Sequence, residues 1–165
     1  MNDTGMGYQR WQRCFDCGQN FHGAVQLALG WACWKTYLGR PETDTFRCSG
    51  MSFLGDILRL SRPEEALPML EALLALFRRY WSRSETNILE AQAKIAMCLG
   101  DLGRRDDKLA LERENYARYV AIQGVSHEHT ITSGANLALS MGKLGLCDEA
   151  VVIARPSAAR CVTRA

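Results

Sequence analysis

The sequence has no run of about 18 apolar residues, the minimum for a helix that crosses a bilayer, so no membrane contact is expected. Its opening, MNDTGMGYQRWQR, contains no apolar core of the kind a secretory leader needs. Neither sign of charge dominates: twenty Lys and Arg stand against eighteen Asp and Glu, a net charge of +2. The basic residues form no block, so nucleic acid is not an expected partner. Stretches alternating between polar and apolar residues are too short to make strands. Also missing are a nucleophile elbow, a phosphate-binding loop, a dinucleotide fingerprint and an HExxH helix. The carboxylates, though plentiful, are not paired at any catalytic spacing. An enzyme is therefore not expected, and no cofactor is implied.

What the chain does have is apolar content, 47% over 165 residues, sufficient for one domain with a sizeable core. Its seven cysteines are odd in number and scattered. Without a leader they read as reduced thiols in a cytoplasmic protein, several of them serving as small hydrophobes on helices.

The strongest signal is internal repetition. Ala66, Lys108 and Ala150 stand 42 residues apart (108 − 66 and 150 − 108). So do Ile57, Leu99 and Met141, and so do Leu60, Leu102 and Leu144. Each unit reads as two helices. In the first, Phe53, Leu54, Ile57, Leu58 and Leu60 form a helical stripe, and Leu67, Leu70, Leu73, Leu74 and Phe77 form a second. Ser61-Arg62-Pro63 separates them, with Pro63 at the start of the next helix and Glu64 and Glu65 at its positive end. Pro68 predicts a mild kink. In the later units Gly103 and Gly145 end the first helix, while Asp106-Asp107 and Asp148-Glu149 open the second. The links between units, 39–44, 82–86 and 124–128, each carry Ser or Thr suited to capping the next helix. A half-repeat over Phe21 to Tyr37 precedes the first full unit.

Asn136-Leu137-Ala138, Met141, Leu144-Gly145 and Asp148-Glu149-Ala150 together resemble the tetratricopeptide repeat, in the roughly 42-residue form found in kinesin light chains. The resemblance covers about residues 20 to 154. It implies an all-α, right-handed superhelical solenoid of antiparallel helix pairs, occupying residues 13–155. A flexible segment over 1–12 and an irregular tail over 156–165, where Pro156 interrupts the last helix, complete the expected organisation. In the family a small residue of the first helix packs on the second. Here that role falls to Ala96 and Ala138, and in the first unit to Leu54 with Gly55 beside it. Lys108 replaces the small residue that opens the second helix.

The resemblance also implies a function: a scaffold that binds a peptide or a partner protein in the groove lined by the first helix of each pair. Carried across, the lining is Cys48, Met51, Ser52, Gly55 and Arg59, then Glu90, Lys94, Met97 and Asp101, then Thr132, Asn136, Leu139 and Lys143. Arg59, Lys94, Asp101, Asn136 and Lys143 are the expected contacts. Asn136 matches the asparagine that in the family hydrogen-bonds a ligand backbone. Exposed repeat ends allow self-association, and the chain also reads as a piece of a longer array.

Four local features compete with that view. Cys14-Phe-Asp-Cys17 is the pattern of a zinc or redox site. Tetrahedral zinc needs further ligands, and the nearest, His22 and Cys33, lie 11 residues apart (33 − 22), about 16 Å along one helix. A thioredoxin-type role needs a βαβ context that is missing. Two thiols in a leading turn or helix is the plainer alternative. His127 and His129 sit at a linker position where kinesin-light-chain-type repeats often carry His, which favours capping over metal binding. Trp31, Trp34 and Tyr37 recur at i, i+3, i+6 and read as a core stripe. Arg78 and Arg79 suit the negative end of a helix better than RNA.

Overall fold

A computed structural model of the chain describes the backbone of residues 10–162 and the side chains of residues 10–154. The expected flexible segment over 1–12 lies mostly outside the described residues. Seven helices follow one another among them: α1 Gly23–Tyr37, α2 Thr45–Ser61, α3 Pro63–Tyr80, α4 Glu85–Asp101, α5 Arg105–Gln123, α6 Glu128–Lys143 and α7 Cys147–Val162. The described residues form no strand, and only an isolated antiparallel bridge joins Arg13 to Asn20. The second helix of each pair begins at 63, 105 and 147, so its start recurs every 42 residues (105 − 63 and 147 − 105).

The chain divides between Ser82 and Arg83 into two compact units. In the first, α1 packs on α2 and α2 on α3. Its buried hydrophobic side chains are Cys33 and Tyr37 from α1, Cys48, Met51, Phe53, Leu54, Ile57 and Leu58 from α2, and Ala66, Leu70, Leu73 and Leu74 from α3. Burial of a leucine such as Leu54 or Leu70 is worth roughly 2 kcal/mol. Trp34 packs, partly buried, against Cys48, Met51 and Leu73, and Tyr37 stacks on Phe46 with centroids 5.7 Å apart. Of the aromatic stripe of α1, Trp34 and Tyr37 are thus core, while Trp31 is half-buried. Leu60 departs from its predicted stripe and is exposed.

In the second unit α4 packs on α5, α5 on α6 and α6 on α7. Ile57, Leu99 and Met141, equivalent by the repeat, are all buried. The helix ends follow the glycines. Gly103 (φ 75°) donates its N–H to the Gly100 carbonyl at 3.1 Å, and Arg104 donates to Leu99 at 2.9 Å. Gly145 (φ 80°) repeats the pattern, donating to Gly142 at 3.2 Å while Leu146 donates to Met141 at 3.0 Å. Both are Schellman ends, which need the left-handed conformation glycine adopts without strain. The α3 helix starts at Pro63 and stays continuous across Pro68. Glu64, whose carbonyl loses a donor to Pro68, is exposed, so water can satisfy it.

Two expectations need correction. The caps come from other residues than Ser or Thr. Asp44 caps α2 by accepting from the Arg47 N–H at 3.0 Å, and His127 caps α6 by accepting from the His129 N–H at 3.3 Å. Ser84 sits at the start of α4 without a capping bond. The irregular tail predicted from 156 is helical as far as Val162. Pro156 removes the donor for the carbonyl of Val152, a residue that is exposed, so water can take the donor's place. Residues 163–165 of that tail lie outside the described residues.

Candidate functional site

The first helices of the pairs, α2, α4 and α6, carry the predicted groove residues. The unit holding α2 differs from expectation. Cys48 and Met51 join Leu73 in a core cluster closed by Trp34, Met69 and Phe77. Gly55 is buried against Leu70. These three line the packed interior, and only Ser52 and Arg59, both half-buried, remain at the surface of that face.

In the second unit the same positions stay open. On α4, Glu90, Met97 and Asp101 are exposed and Lys94 is half-buried. On α6, Thr132, Asn136, Leu139 and Lys143 are exposed. The repeat places them in register: 94 with 136, 97 with 139, and 101 with 143, each 42 apart (136 − 94, 139 − 97 and 143 − 101). Each helix therefore presents a polar residue, an apolar residue one turn later and a charge one turn after that. The apolar members are 43% exposed at Met97 and 60% at Leu139. The terminal charges have opposite signs, Asp101 against Lys143. Both helices pack on α5, which holds them from behind. The Arg118 guanidinium of α5 pairs with Glu85 at the start of α4, and Tyr119 stacks on His129 of α6 with centroids 5.9 Å apart. Arg113 reaches Glu149 of α7 at 2.7 Å. Burial pushes the Tyr119 phenol up, with the nearby Glu90 carboxylate adding to the shift.

Close contact between the two helices of a pair depends on glycine in both units. A Cβ on Gly55 would lie 2.6 Å from Leu70 Cδ2. A Cβ on Gly100 would lie 2.9 Å from Lys108 Cδ. Lys108, which replaces a small residue, therefore finds its room opposite Gly100, and its Nζ lies 3.6 Å from the buried Glu112. The signal was present in the sequence as a small-for-large exchange: Gly100 stands where the first unit has Leu58, and Lys108 where it has Ala66.

The competing features resolve separately. His22 is exposed and Cys33 fully buried, with burial pushing the Cys33 thiol up to about 11. They do not join Cys14 and Cys17, and no cluster of three His, Cys, Asp or Glu residues suited to a metal exists among the described residues. His127 caps a helix, and its ring stacks on His129 at 5.3 Å. Arg79 lies over the Tyr80 ring and 3.9 Å from Glu42, and Tyr80 donates its hydroxyl to Glu42 at 2.8 Å. None of the helices described is long and apolar enough to cross a membrane.

No family model matches the sequence, and no curated protein does. Among solved structures, the chain is similar to a Podosopora anserina protein of nearly identical TPR-like repeats, provisionally assigned as a kinesin light chain. One crystal structure, of a substituted form of that protein, is 15% identical with a TM-score of 0.67, over 86% of this chain and 78% of that one. A second is 15% identical with a TM-score of 0.64, over 83% and 75%. The seven helices thus have the TPR-like repeat fold that the 42-residue spacing predicts.

Proposed function

We propose that the chain is a protein-interaction scaffold, not a catalyst, and that it takes an extended peptide or partner-protein segment on the α4 and α6 faces of its second unit. The observation that supports this most is the pair Met97 and Leu139, two apolar side chains left open at equivalent repeat positions and bordered by polar groups. Large apolar groups exposed in register, with a polar surround, are characteristic of protein-binding surfaces. Lys94 and Asn136 border them on one side, and Asp101 and Lys143 on the other. Asn136 supplies amide donors and an acceptor suited to a partner backbone, and Lys143 suits an acidic side chain. Arg59, half-buried on α2 of the first unit, is the remaining expected contact. Free thiols on six described cysteines suit a cytoplasmic setting.

The test is crosslinking of the purified chain in lysate, with Met97→Glu and Leu139→Glu combined. Loss of the crosslinked partner with an unchanged melting temperature is the expected result. A partner retained in full by the double variant would overturn the assignment of this face.

A further inference from the structure

The six described cysteines fall into three groups. Cys33, Cys48 and Cys98 are buried, and burial pushes the thiols of Cys33 and Cys48 up, away from the reactive thiolate form. Cys147 is exposed and alone at the start of α7. Cys14 and Cys17 share one turn ahead of α1, the first half-buried and the second exposed. That turn is well made. Gly18 donates its N–H to the Cys14 carbonyl at 2.9 Å, and Cys14 donates to Gln19 at 2.8 Å. The Arg13–Asn20 bridge closes its base, and Gly18 takes φ 69° at its exit. The curl sets Cys14 and Cys17 on the same turn, where the backbone amides of Cys17 and Asp16, and then the Cys17 thiol, favour the Cys14 thiolate. Together they outweigh burial and the Asp16 carboxylate and hold the Cys14 thiol below its ordinary range.

We propose that the Cys14–Cys17 turn is a reversible dithiol–disulfide site that reacts with small-molecule disulfides of the glutathione class, while the buried cysteines stay reduced. The Cys14 thiolate attacks one sulfur of the small disulfide. The sulfur–sulfur bond of the reagent breaks, and its departing half takes a proton to become a free thiol. Cys14 now carries a mixed disulfide. Cys17 gives its proton to solvent, and its sulfur attacks that of Cys14. The mixed bond breaks, and the second half of the reagent leaves and is protonated. Two protein thiols are oxidised, and one small disulfide is reduced to two thiols. Because Cys17 sits on the same turn as Cys14, the second attack is intramolecular and outruns a second encounter with reagent. Excess thiol runs the sequence backwards. Such pairs in reducing compartments are transient and redox-sensing, not structural.

The full chain, incubated with oxidised and reduced glutathione, alkylated natively and mapped by mass spectrometry, tests this. The peptide holding Cys14 and Cys17 is expected to lose two hydrogens, reversibly with dithiothreitol, while Cys33, Cys48 and Cys98 react only after unfolding. In Cys17→Ser the glutathione adduct should accumulate on Cys14. In Cys14→Ser, Cys17 should react no faster than Cys147. Separate adducts on Cys14 and Cys17 without a bond between them would overturn the proposal. So would a disulfide from either to a third cysteine, or Cys17 reacting at full rate in Cys14→Ser. Bound zinc that blocks oxidation until a chelator is added would reassign the pair as metal ligands and equally overturn it.

Discussion

Glycine carries opposite consequences at two points of this chain. Gly55 lies inside the first unit, where an added Cβ meets Leu70 Cδ2 at 2.6 Å and Cγ at 3.1 Å. Leu70 is fully buried and cannot give way. Gly55→Ala is therefore expected to destabilise by about 1–3 kcal/mol, the usual cost of overpacking. Gly142 also lies in a helix, but nothing stands within 4 Å of its added Cβ. Gly142→Ala removes chain entropy from the unfolded state and should stabilise by about 0.5–1 kcal/mol. Urea unfolding of both variants checks the pair. A stabilising shift in both would show that the Gly55 contact has room to relax.

At the scale of the helix, the end structures decide what can be tested. Asp44 accepts the Arg47 N–H and lies 3.4 Å from Arg40. Burial pulls its carboxyl up, but the Arg47 amide, the Arg40 guanidinium and the Phe46 amide outweigh that and hold it below the ordinary carboxylate range. A carboxyl depressed in the folded state contributes stability above its unfolded value, about 3.9, and loses it as pH falls through the lower folded value. Asp44→Ala should cost about 1 kcal/mol at neutral pH. Asp44→Asn should keep most of the cap and lose less stability than the wild type between about pH 4 and pH 2. Thermal melts across that range read both. The turns themselves were legible beforehand. Leu102-Gly103 and Leu144-Gly145 announce Schellman ends, and Pro63 with two glutamates announces a helix start. The caps were not, because Ser, Thr, Asp and His compete for one position and only the approach of the chain selects among them. Nor was the helix across Pro156, since an exposed carbonyl can exchange a chain donor for water. The exposure of the chosen residues was legible on α4 and α6, where solvent keeps the pattern simple. It was misread on α2, because the packing of Trp34 and α3 over Cys48 and Met51 depends on contacts far apart in sequence.

The two units of the molecule have interiors of different character. Among the described residues every buried polar one, Gln92, Glu112, Asn115, Thr130 and Ser140, belongs to the second. Each has a side-chain oxygen without a hydrogen-bond partner among the described residues. The α5 helix buries only Glu112, Asn115 and Tyr119, whereas α2 buries eight residues, Cys48, Gly50, Met51, Phe53, Leu54, Gly55, Ile57 and Leu58. An unpartnered buried oxygen costs about 1–3 kcal/mol, and local opening follows the regions with least apolar burial. Native-state hydrogen exchange should accordingly find the amides of α5 opening at lower free energy than those of α2. Equal protection in the two helices would mean that the polar interior is satisfied after all.

The Gly100–Lys108 contact also bears on how such a gene can change. Tandem units are prone to unequal crossing-over, which splices the front of one to the back of another. The paired positions 58 and 66, 100 and 108, and 142 and 150 hold Leu with Ala, Gly with Lys, and Gly with Ala. A crossover inside the eight-residue interval (108 − 100) that joined the first unit's front to the second's back would set Leu58 against Lys108, two long side chains where there is room for one. Recombinants broken outside that interval inherit a matched pair. The interval from 100 to 108 is therefore best inherited as one block.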